Sequence, residues 1–496
     1  MSKIAIVTSY IATPHYETEL ELMQNHINKG NEIFHIICNQ DWNVCLNLSN
    51  SENKYASCKN CIGKRETGLA YIKGGKIKKV RLFNQKNNSL LDDIESVNDI
   101  DELKKVKVEN FDVGMAVLST LVSSLKTPYF NLKDYLVYIN ESIKTAISVY
   151  YAMREYLKSN KFEYVYIFNG RFFIERAILR ACEYEKQNFY THERGCDKNH
   201  YELFFNTLPH SINYKIGEIK KYWNEEINES IRTEKANSFF NNRMNNISRA
   251  WVSFLDKQKS HLLPKSWQSD KHNIIIFTTS ENEYFAIGDE WKPTIYTNQL
   301  HGILELAQSI RELNDTSYRF YIRMHPNLIN YPPEYSYTVK QLEQVQDIFE
   351  VILPDSEISS YALMQECDKV LTFGSSMGLE ATYHGKPSIL LSTTFYQSFD
   401  ITYNPSNHLE AMSLILNKNL KAKPKINTLP VGFYLETYGI PYKYYQPETL
   451  FSGKFNEKYV HNIADNKYLA KWFFFKQNIK HKINKILGKK FFEVYA

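Results

Sequence analysis

Apolar and polar positions fall into two similar blocks along this chain. In the first, Lys3 to Thr8 is a short apolar run. Tyr16 to Lys29 carries apolar residues at helical spacing and stops at Gly30, and Glu32 to Cys38 is apolar again. Short runs that are apolar on both faces predict buried parallel strands, and the amphipathic stretch between them supplies the crossover. The pattern resumes with a strand over Tyr164–Phe168, a helix over Phe173–Tyr184 and a strand over Asn188–His192. Between these lie residues 73–110, rich in Lys, Asn and Asp, which read as surface loops. A helical region then runs from Phe111 to Leu157, broken near Pro128.

The second block opens at His272. It predicts strands over Asn273–Thr278, Tyr318–Met324, Phe349–Leu353, Val370–Phe373 and Ser388–Leu391. Helices over Leu300–Leu313 and Ser359–Cys367 lie between them, and a further helix running to Tyr383 is ended by Gly385-Lys386-Pro387. Alternation of this kind predicts an α/β protein with two doubly wound, Rossmann-like domains. Residues 214–268 are polar with aromatics at helical spacing and read as a helical linker. The expected layout is therefore an N-terminal domain over 1–213, the linker over 214–268, a C-terminal domain over 269–450 and a tail over 451–496.

Doubly wound sheets collect ligands at the C-terminal ends of their strands. In the second domain three loops leave that edge: Thr279 to Trp291, Arg323 to Asn327, and Gly374-Ser375-Ser376. The Gly-Ser-Ser turn offers backbone N–H groups and two hydroxyls to an anion. Glu380 stands about one helical turn further on, within reach of a sugar diol. His325 is held by the restriction Pro326 imposes, and Arg323 lies two residues back on the same side of the strand, so the two can face one phosphate. The alternatives are an ordinary serine N-cap and a histidine that caps a neighbouring carbonyl.

In the first domain Asn169-Gly170-Arg171 and His192-Glu193-Arg194-Gly195 leave consecutive strands. They are candidates for binding an anionic substrate or for an acid/base pair; the alternative is an Arg–Glu ion pair that pins the loops together. His15, Glu17 and Glu19 follow the first strand. They are candidates for acceptor contacts or a general base, against a solvated first helical turn.

The 496 residues carry a net charge of +5, which does not suggest a nucleic-acid partner. The N-terminus lacks the pattern of a secretory signal, and no stretch approaches the ~20 apolar residues of a membrane span, so a cytoplasmic protein is expected. Seven cysteines, an odd number, make disulfides unexpected. Cys38, Cys45, Cys58 and Cys61 are candidates for a structural zinc site, Cys58-x-x-Cys61 having the spacing of a metal knuckle, against four free thiols. Residues Lys467 to Phe492 put Trp472, Phe473, Phe474, Ile479, Ile483 and Ile486 mostly on one helical face with lysines between. That pattern fits an amphipathic helix on an anionic membrane surface or one packing back on the first domain.

The Arg-x-His-Pro loop paired with the later Gly-Ser-Ser loop is similar to the HP and S motifs of bacterial sialyl-, polysialyl- and capsular Kdo transferases. The two Rossmann-like halves resemble the GT-B fold of glycosyltransferases, whose domains face a cleft. The resemblance extends to capsule- and O-antigen-biosynthesis proteins through NGR, HERG, the cysteines and SENEYFAIGDEW. It implies a glycosyltransferase that moves a sugar from a nucleotide-sugar donor, a CMP-sugar foremost, to a surface polysaccharide, lipopolysaccharide or lipid-linked acceptor at the inner face of the membrane. His325, Ser375 and Ser376 would hold the donor phosphate and Glu380 the ribose; in retaining members, which need no base, Arg323 or Lys386 would stand against the leaving phosphate. In inverting members a carboxylate of the first domain acts as base; Glu193 stands first, then Glu17, Glu19 and Asp41. No metal or other cofactor is required for catalysis. The alternatives are a sugar-nucleotide epimerase of the same architecture and a non-catalytic subunit of polysaccharide assembly.

Overall fold

The computed structural model describes residues 1–47, 54–82, 97–245, 247, 258–460 and 492–495. The chain divides into two compact units. Unit 1 comprises Met1–Ser124, Asn131–Pro209 and Gly439–Ala496; unit 2 comprises Leu125–Phe130 and His210–Tyr438.

Along the chain, unit 1 contributes strands β1 (Lys3–Thr8), β2 (Glu32–Ile37), β3 (Ile77–Leu82), β4 (Tyr164–Phe168), β5 (Phe189–Arg194) and β6 (His200–Phe205). Unit 2 contributes β7 (His272–Phe277), β8 (Tyr318–Arg323), β9 (Phe349–Ile352), β10 (Lys369–Thr372) and β11 (Ser388–Leu390). The chain then returns to unit 1 with β12 (Ile440–Pro441), β13 (Tyr445–Pro447), β14 (Gly453–Phe455), β15 (Lys458–Tyr459) and β16 (Phe492–Tyr495).

Both main sheets share one topology. In unit 1 the parallel strands run in the order β3-β2-β1-β4-β5, and β6, β12 and β16 extend the edges antiparallel. In unit 2 all five strands are parallel in the order β9-β8-β7-β10-β11. Each order, 3-2-1-4-5, is that of a doubly wound Rossmann-type sheet. The chain direction across the sheet reverses between β1 and β4, and again between β7 and β10, and these switch points are where such sheets bind ligands. Two doubly wound α/β units are thus present, as the periodicity predicts.

Burial accounts for the strand sequences. In β1 the run Ile4-Ala5-Ile6-Val7 has no exposed surface, and Ile274 to Phe277 of β7 is almost as completely covered. Helices flank both faces, so the interiors of β1 and β7 are apolar throughout rather than on alternate positions.

The structure draws three boundaries differently from the sequence pattern. Residues 73–110 contain β3, a parallel strand with Val80 and Leu82 fully buried, and the helix Ile100–Lys105. The expected linker is no free connector: the helices Ile212–Glu225 and Glu229–Met244 belong to unit 2. Asn228 caps the second of them by accepting from the amides of Ser230 and Ile231. Phe240 then stacks on Tyr383 with ring centroids 3.8 Å apart, and Ala236 and Phe240 share a core with Leu379, Val431 and Phe433.

Third, residues 439–460 leave unit 2 and pack on the helix His15–Asn28 of unit 1. Glu21 of that helix, wholly buried, accepts the backbone amides of Lys443 (2.9 Å), Tyr444 (2.7 Å) and Tyr445 (2.9 Å). A carboxylate taken out of water needs such donors, and the returning chain needs a partner for its amides. The basic stretch over 467–491 lies outside the described residues; Phe492 opens β16, which pairs with β3. No helix among the described residues is long and apolar enough to cross a membrane.

Replacing Glu21 by Ala should therefore cost about 2–4 kcal/mol and expose the amides of 443–445 to hydrogen exchange. Unchanged protection at those amides would contradict this role.

Candidate functional site

In unit 2 the site grows from the ends of β7, β8 and β10. Gly374 sits at φ +115°, where a side chain is strained, and turns the chain out of β10 into Ser375. The amide of Ser375 donates to Thr372 Oγ1 at 2.8 Å, and its hydroxyl caps the Met377 amide at 3.3 Å. At the end of β8 the His325 amide donates to Thr278 Oγ1 at 2.8 Å, tying that loop to the end of β7. His325 Nδ1 accepts the Asn327 amide at 3.2 Å, which places the ring proton on Nε2. Burial, with Arg243 and Arg323 nearby, lowers its pKa to about 4. The imidazole is therefore a neutral N–H donor at neutral pH.

Three of the expected donor residues are engaged elsewhere. Arg323 is 1% exposed: Nη1 donates to the Leu353 carbonyl, Nη2 to the Ser356 carbonyl at 3.5 Å and Nε to Ser360 Oγ at 3.2 Å. It fastens the loop after β9 instead of facing a phosphate. Lys386 lies beyond Gly385 at the opposite edge of the sheet, before β11, and its Nζ donates to the Cys367 carbonyl at 2.9 Å. Glu380 is 1% exposed, and its Oε1 accepts from Ser376 Oγ at 2.9 Å and Arg243 Nε at 2.9 Å, its Oε2 from Tyr361 OH at 2.5 Å. Arg243 comes from the helix Glu229–Met244, and sequence reasoning missed it. Only a polar residue near the end of an amphipathic helix marked it there.

In unit 1 the equivalent switch point is lined by the ends of β1, β4 and β5. Asn169, in the left-handed region at φ 51°, donates through Nδ2 to Glu193 Oε2 at 2.7 Å. This bond pins the two loops together. Glu193 remains 22% exposed, 3.5 Å from His15 Nδ1. Burial holds His15 near pKa 4 despite that carboxylate. Arg171 lies over the Phe172 ring at 4.8 Å and Arg194 over Phe451 at 5.0 Å, with Arg194 Nη2 also 3.5 Å from the Thr13 carbonyl.

His192 and Glu17 do not stand where a substrate would meet them. Successive side chains of β5 alternate between faces, so His192 points inward with no exposed surface while Glu193 stays at the edge. Glu17, 2% exposed, is held by Lys64 Nζ at 2.9 Å and Thr13 Oγ1 at 3.0 Å. Asp41 is paired with Arg81. Beneath the edge lies a buried polar cluster. Thr8 Oγ1 donates to Glu19 Oε2 and is 2.7 Å from His35 Nε2, Glu19 Oε1 is 3.7 Å from His192 Nε2, and Ser9 Oγ donates to Glu175. Burial raises the Glu19 carboxyl well above its usual range and Glu175 to about 7, and lowers His192 to about 3.

Cys38, Cys45, Cys58 and Cys61 line one small cavity beside Trp42, yet Cys58 and Cys61 sit within the helix Lys54–Leu69, not in a knuckle. The described group that brings three ligand atoms within 4.8 Å of one another is Cys196, Asp197 and His200, and no three of the four candidate sulfurs do so. None of the seven cysteines is in a disulfide, and burial pushes the thiol of Cys61 up to about 11.

With this geometry in place, residues 257–429 match the model of a family described as capsule polysaccharide biosynthesis protein. The match covers less than half of the chain. It lies inside unit 2 and contains both the His325 and the Ser375–Ser376 loops, so unit 2 carries a segment of the capsule-biosynthesis type. No curated protein matches the chain. Among solved structures, KpsC of Thermosulfurimonas dismutans is similar through its β-Kdo 2,4-transferase at 14% identity, over 62% of this chain and 87% of that one, with a TM-score of 0.35. Its β-Kdo 2,7-transferase gives 17%, 57%, 79% and 0.31. The UDP-GlcNAc 2-epimerase of Neisseria meningitidis bound to UDP-GlcNAc gives 14%, 89%, 96% and 0.21. The Rossmann topology rests on the strand order itself.

The buried cluster of unit 1 makes a pH prediction. His192 is neutral in the fold down to about pH 3, whereas in the unfolded chain it titrates near 6.5, so its contribution to stability is lost as pH falls below about 6.5. Glu175 acts with the opposite sign: its contribution is full below about 4.5 and lost as pH rises through about 7. Replacing His192 by Gln isolates the first effect. Between pH 7 and pH 5 the stability difference should move by about 2 kcal/mol in favour of the variant in chemical denaturation. A difference independent of pH would contradict it.

Proposed function

We propose that the protein is a glycosyltransferase of capsule polysaccharide assembly that takes its sugar from a nucleotide donor. The observation that carries this reading is the convergence at the unit 2 switch point of a neutral His325 with its proton on Nε2, the Ser375–Ser376 turn and the Arg243 guanidinium. Hydroxyls, an imidazole N–H and one guanidinium are the donors that a phosphate ester accepts. With Arg323 and Lys386 engaged elsewhere, the charge at this edge suits a donor with one phosphate, a CMP-sugar, better than a diphosphate. The match of this segment to capsule-biosynthesis proteins supports the same reading.

In the reaction an acceptor hydroxyl oxygen forms the new bond to the anomeric carbon as the bond from that carbon to the phosphate oxygen breaks. The negative charge that develops on the departing nucleotide falls on the His325, Ser375 and Arg243 donors, which are already oriented. The hydroxyl proton goes to a carboxylate. Glu193 is the candidate in unit 1, because it is at the edge and held in place by Asn169 and His15. Asn169, Arg171 and Arg194 belong to the acceptor side, which takes a glycan or glycolipid. A lipid-linked acceptor would give the basic stretch over 467–491 its purpose at an anionic membrane surface.

Calorimetric titration with CMP, CDP, UDP and GDP tests the donor reading. CMP should bind, and His325→Ala should weaken it at least tenfold while changing stability by no more than about 1 kcal/mol. A panel with no binder, or a variant that binds as well as the wild type, would overturn the assignment.

A further inference from the structure

A buried carboxylate has to be compensated by charge and hydrogen bonds. Glu380 meets that demand with partners from three parts of unit 2: Ser376 at the Gly-Ser-Ser turn, Tyr361 from the helix Ser360–Glu366, and Arg243 from the helix Glu229–Met244. Both of its oxygens are engaged, and 1% of the side chain is exposed. A ribose diol reaching Glu380 would have to displace one of these partners. Arg243 stands on the other side of the pair. Its side chain is 39% exposed, and its Nη2 donates to Ser376 Oγ at 3.1 Å. The guanidinium is thus anchored through Nε from behind and presented beside the serine turn. Burial works against its charge, yet Glu380 and Tyr361 hold its pKa above the ordinary arginine value.

The site needs such a cation. The helix that follows the serine turn, Met377–Tyr383, has only seven residues, so its dipole supplies little field. His325 is neutral. Of the arginines that act on His325, Arg243 has the larger effect, and Arg323 is spent on carbonyls.

We infer that Arg243 is the cation that binds the donor phosphate, and that Glu380 is a positioning residue that holds Arg243 against the serine turn instead of a ligand of the nucleotide ribose. The inference rests on reading unit 2 as the nucleotide-sugar site. It extends that reading to a residue from a helix outside the two loops and gives Glu380 a different task. The Glu380 carboxylate orients the planar fork through Nε and leaves the far edge of the guanidinium for the ester oxygens. Tyr361 in turn fixes the second carboxylate oxygen.

Titration calorimetry with CMP, dideoxycytidine monophosphate and cytidine separates the roles. Arg243→Ala should weaken CMP binding by about 10–100-fold and leave cytidine unchanged, because only the phosphate contact is lost. Arg243→Lys should recover part of the loss, since it keeps the charge but not the fork. Glu380→Gln should weaken CMP several-fold while the wild-type preference for ribose over dideoxyribose persists. Tyr361→Phe, which leaves the Glu380 charge in place, should show the same pattern at smaller size, and it serves if Glu380→Gln does not fold. Arg243→Ala binding CMP like the wild type would overturn the inference alone. Loss of ribose discrimination in Glu380→Gln with phosphate affinity intact would return Glu380 to the ribose. A wild type that binds no nucleotide would overturn the donor reading and this inference with it.

Discussion

A parallel strand covered by helices on both faces places polar groups most readily at its ends, because a polar group between them is cut off from water and has to find a hydrogen-bond partner in the interior. Both sheets of this protein obey that constraint. The interiors of β1 and β7 are apolar, His35 inside β2 and Thr191 inside β5 are hydrogen-bonded to Thr8 and to the Thr207 carbonyl, and polar groups gather where β1 and β4 part in unit 1 and where β7 and β10 part in unit 2. The switch point then sets which loops meet. In unit 2 it brings Thr278, His325 and the Gly374–Ser376 turn to one edge, and in unit 1 it brings Asn169 to Glu193.

Among the other buried polar groups, several carboxylates do structural work that the sites depend on. Glu21 collects three amides and docks the returning segment on unit 1. Glu380 gathers a guanidinium, a serine and a tyrosine beneath the serine turn. Glu19 and Glu175, their carboxyls shifted upward by burial, accept hydrogen bonds from Thr8 and Ser9 beneath the edge of the first sheet. Charge that reaches the surface at these edges, in Glu193 and Arg243, is held by partners that are themselves fixed.

The loops were legible because backbone chemistry marks them. Gly374 and Pro326 punctuate strand exits, and apolar runs of strand length locate the exits themselves. What the side chains do there depends on neighbours far away in sequence. Arg323 and His325 share a side of β8 by periodicity, yet the loop after β9 supplies carbonyls that take up the arginine. Arg243 was illegible because the pattern of its helix shows an amphipathic surface and not what that surface covers; the stacking of Phe240 on Tyr383 turns the expected linker into part of unit 2. Cys58 and Cys61 have knuckle spacing, but a helix places them one turn apart along its side. Residues 439–460 follow unit 2 in sequence and belong to unit 1, a choice made by Glu21 and by the burial of Tyr445 and Phe455, not by any local signal.

The central claim is that the C-terminal edge of the β9-β8-β7-β10-β11 sheet holds the phosphate of a nucleotide donor. A crystal structure of the protein grown with CMP tests it most directly. The phosphate should lie within hydrogen-bonding distance of His325 Nε2 and the hydroxyls of Ser375 or Ser376. A nucleotide seated on unit 1, or one whose phosphate points away from those side chains, would contradict the account.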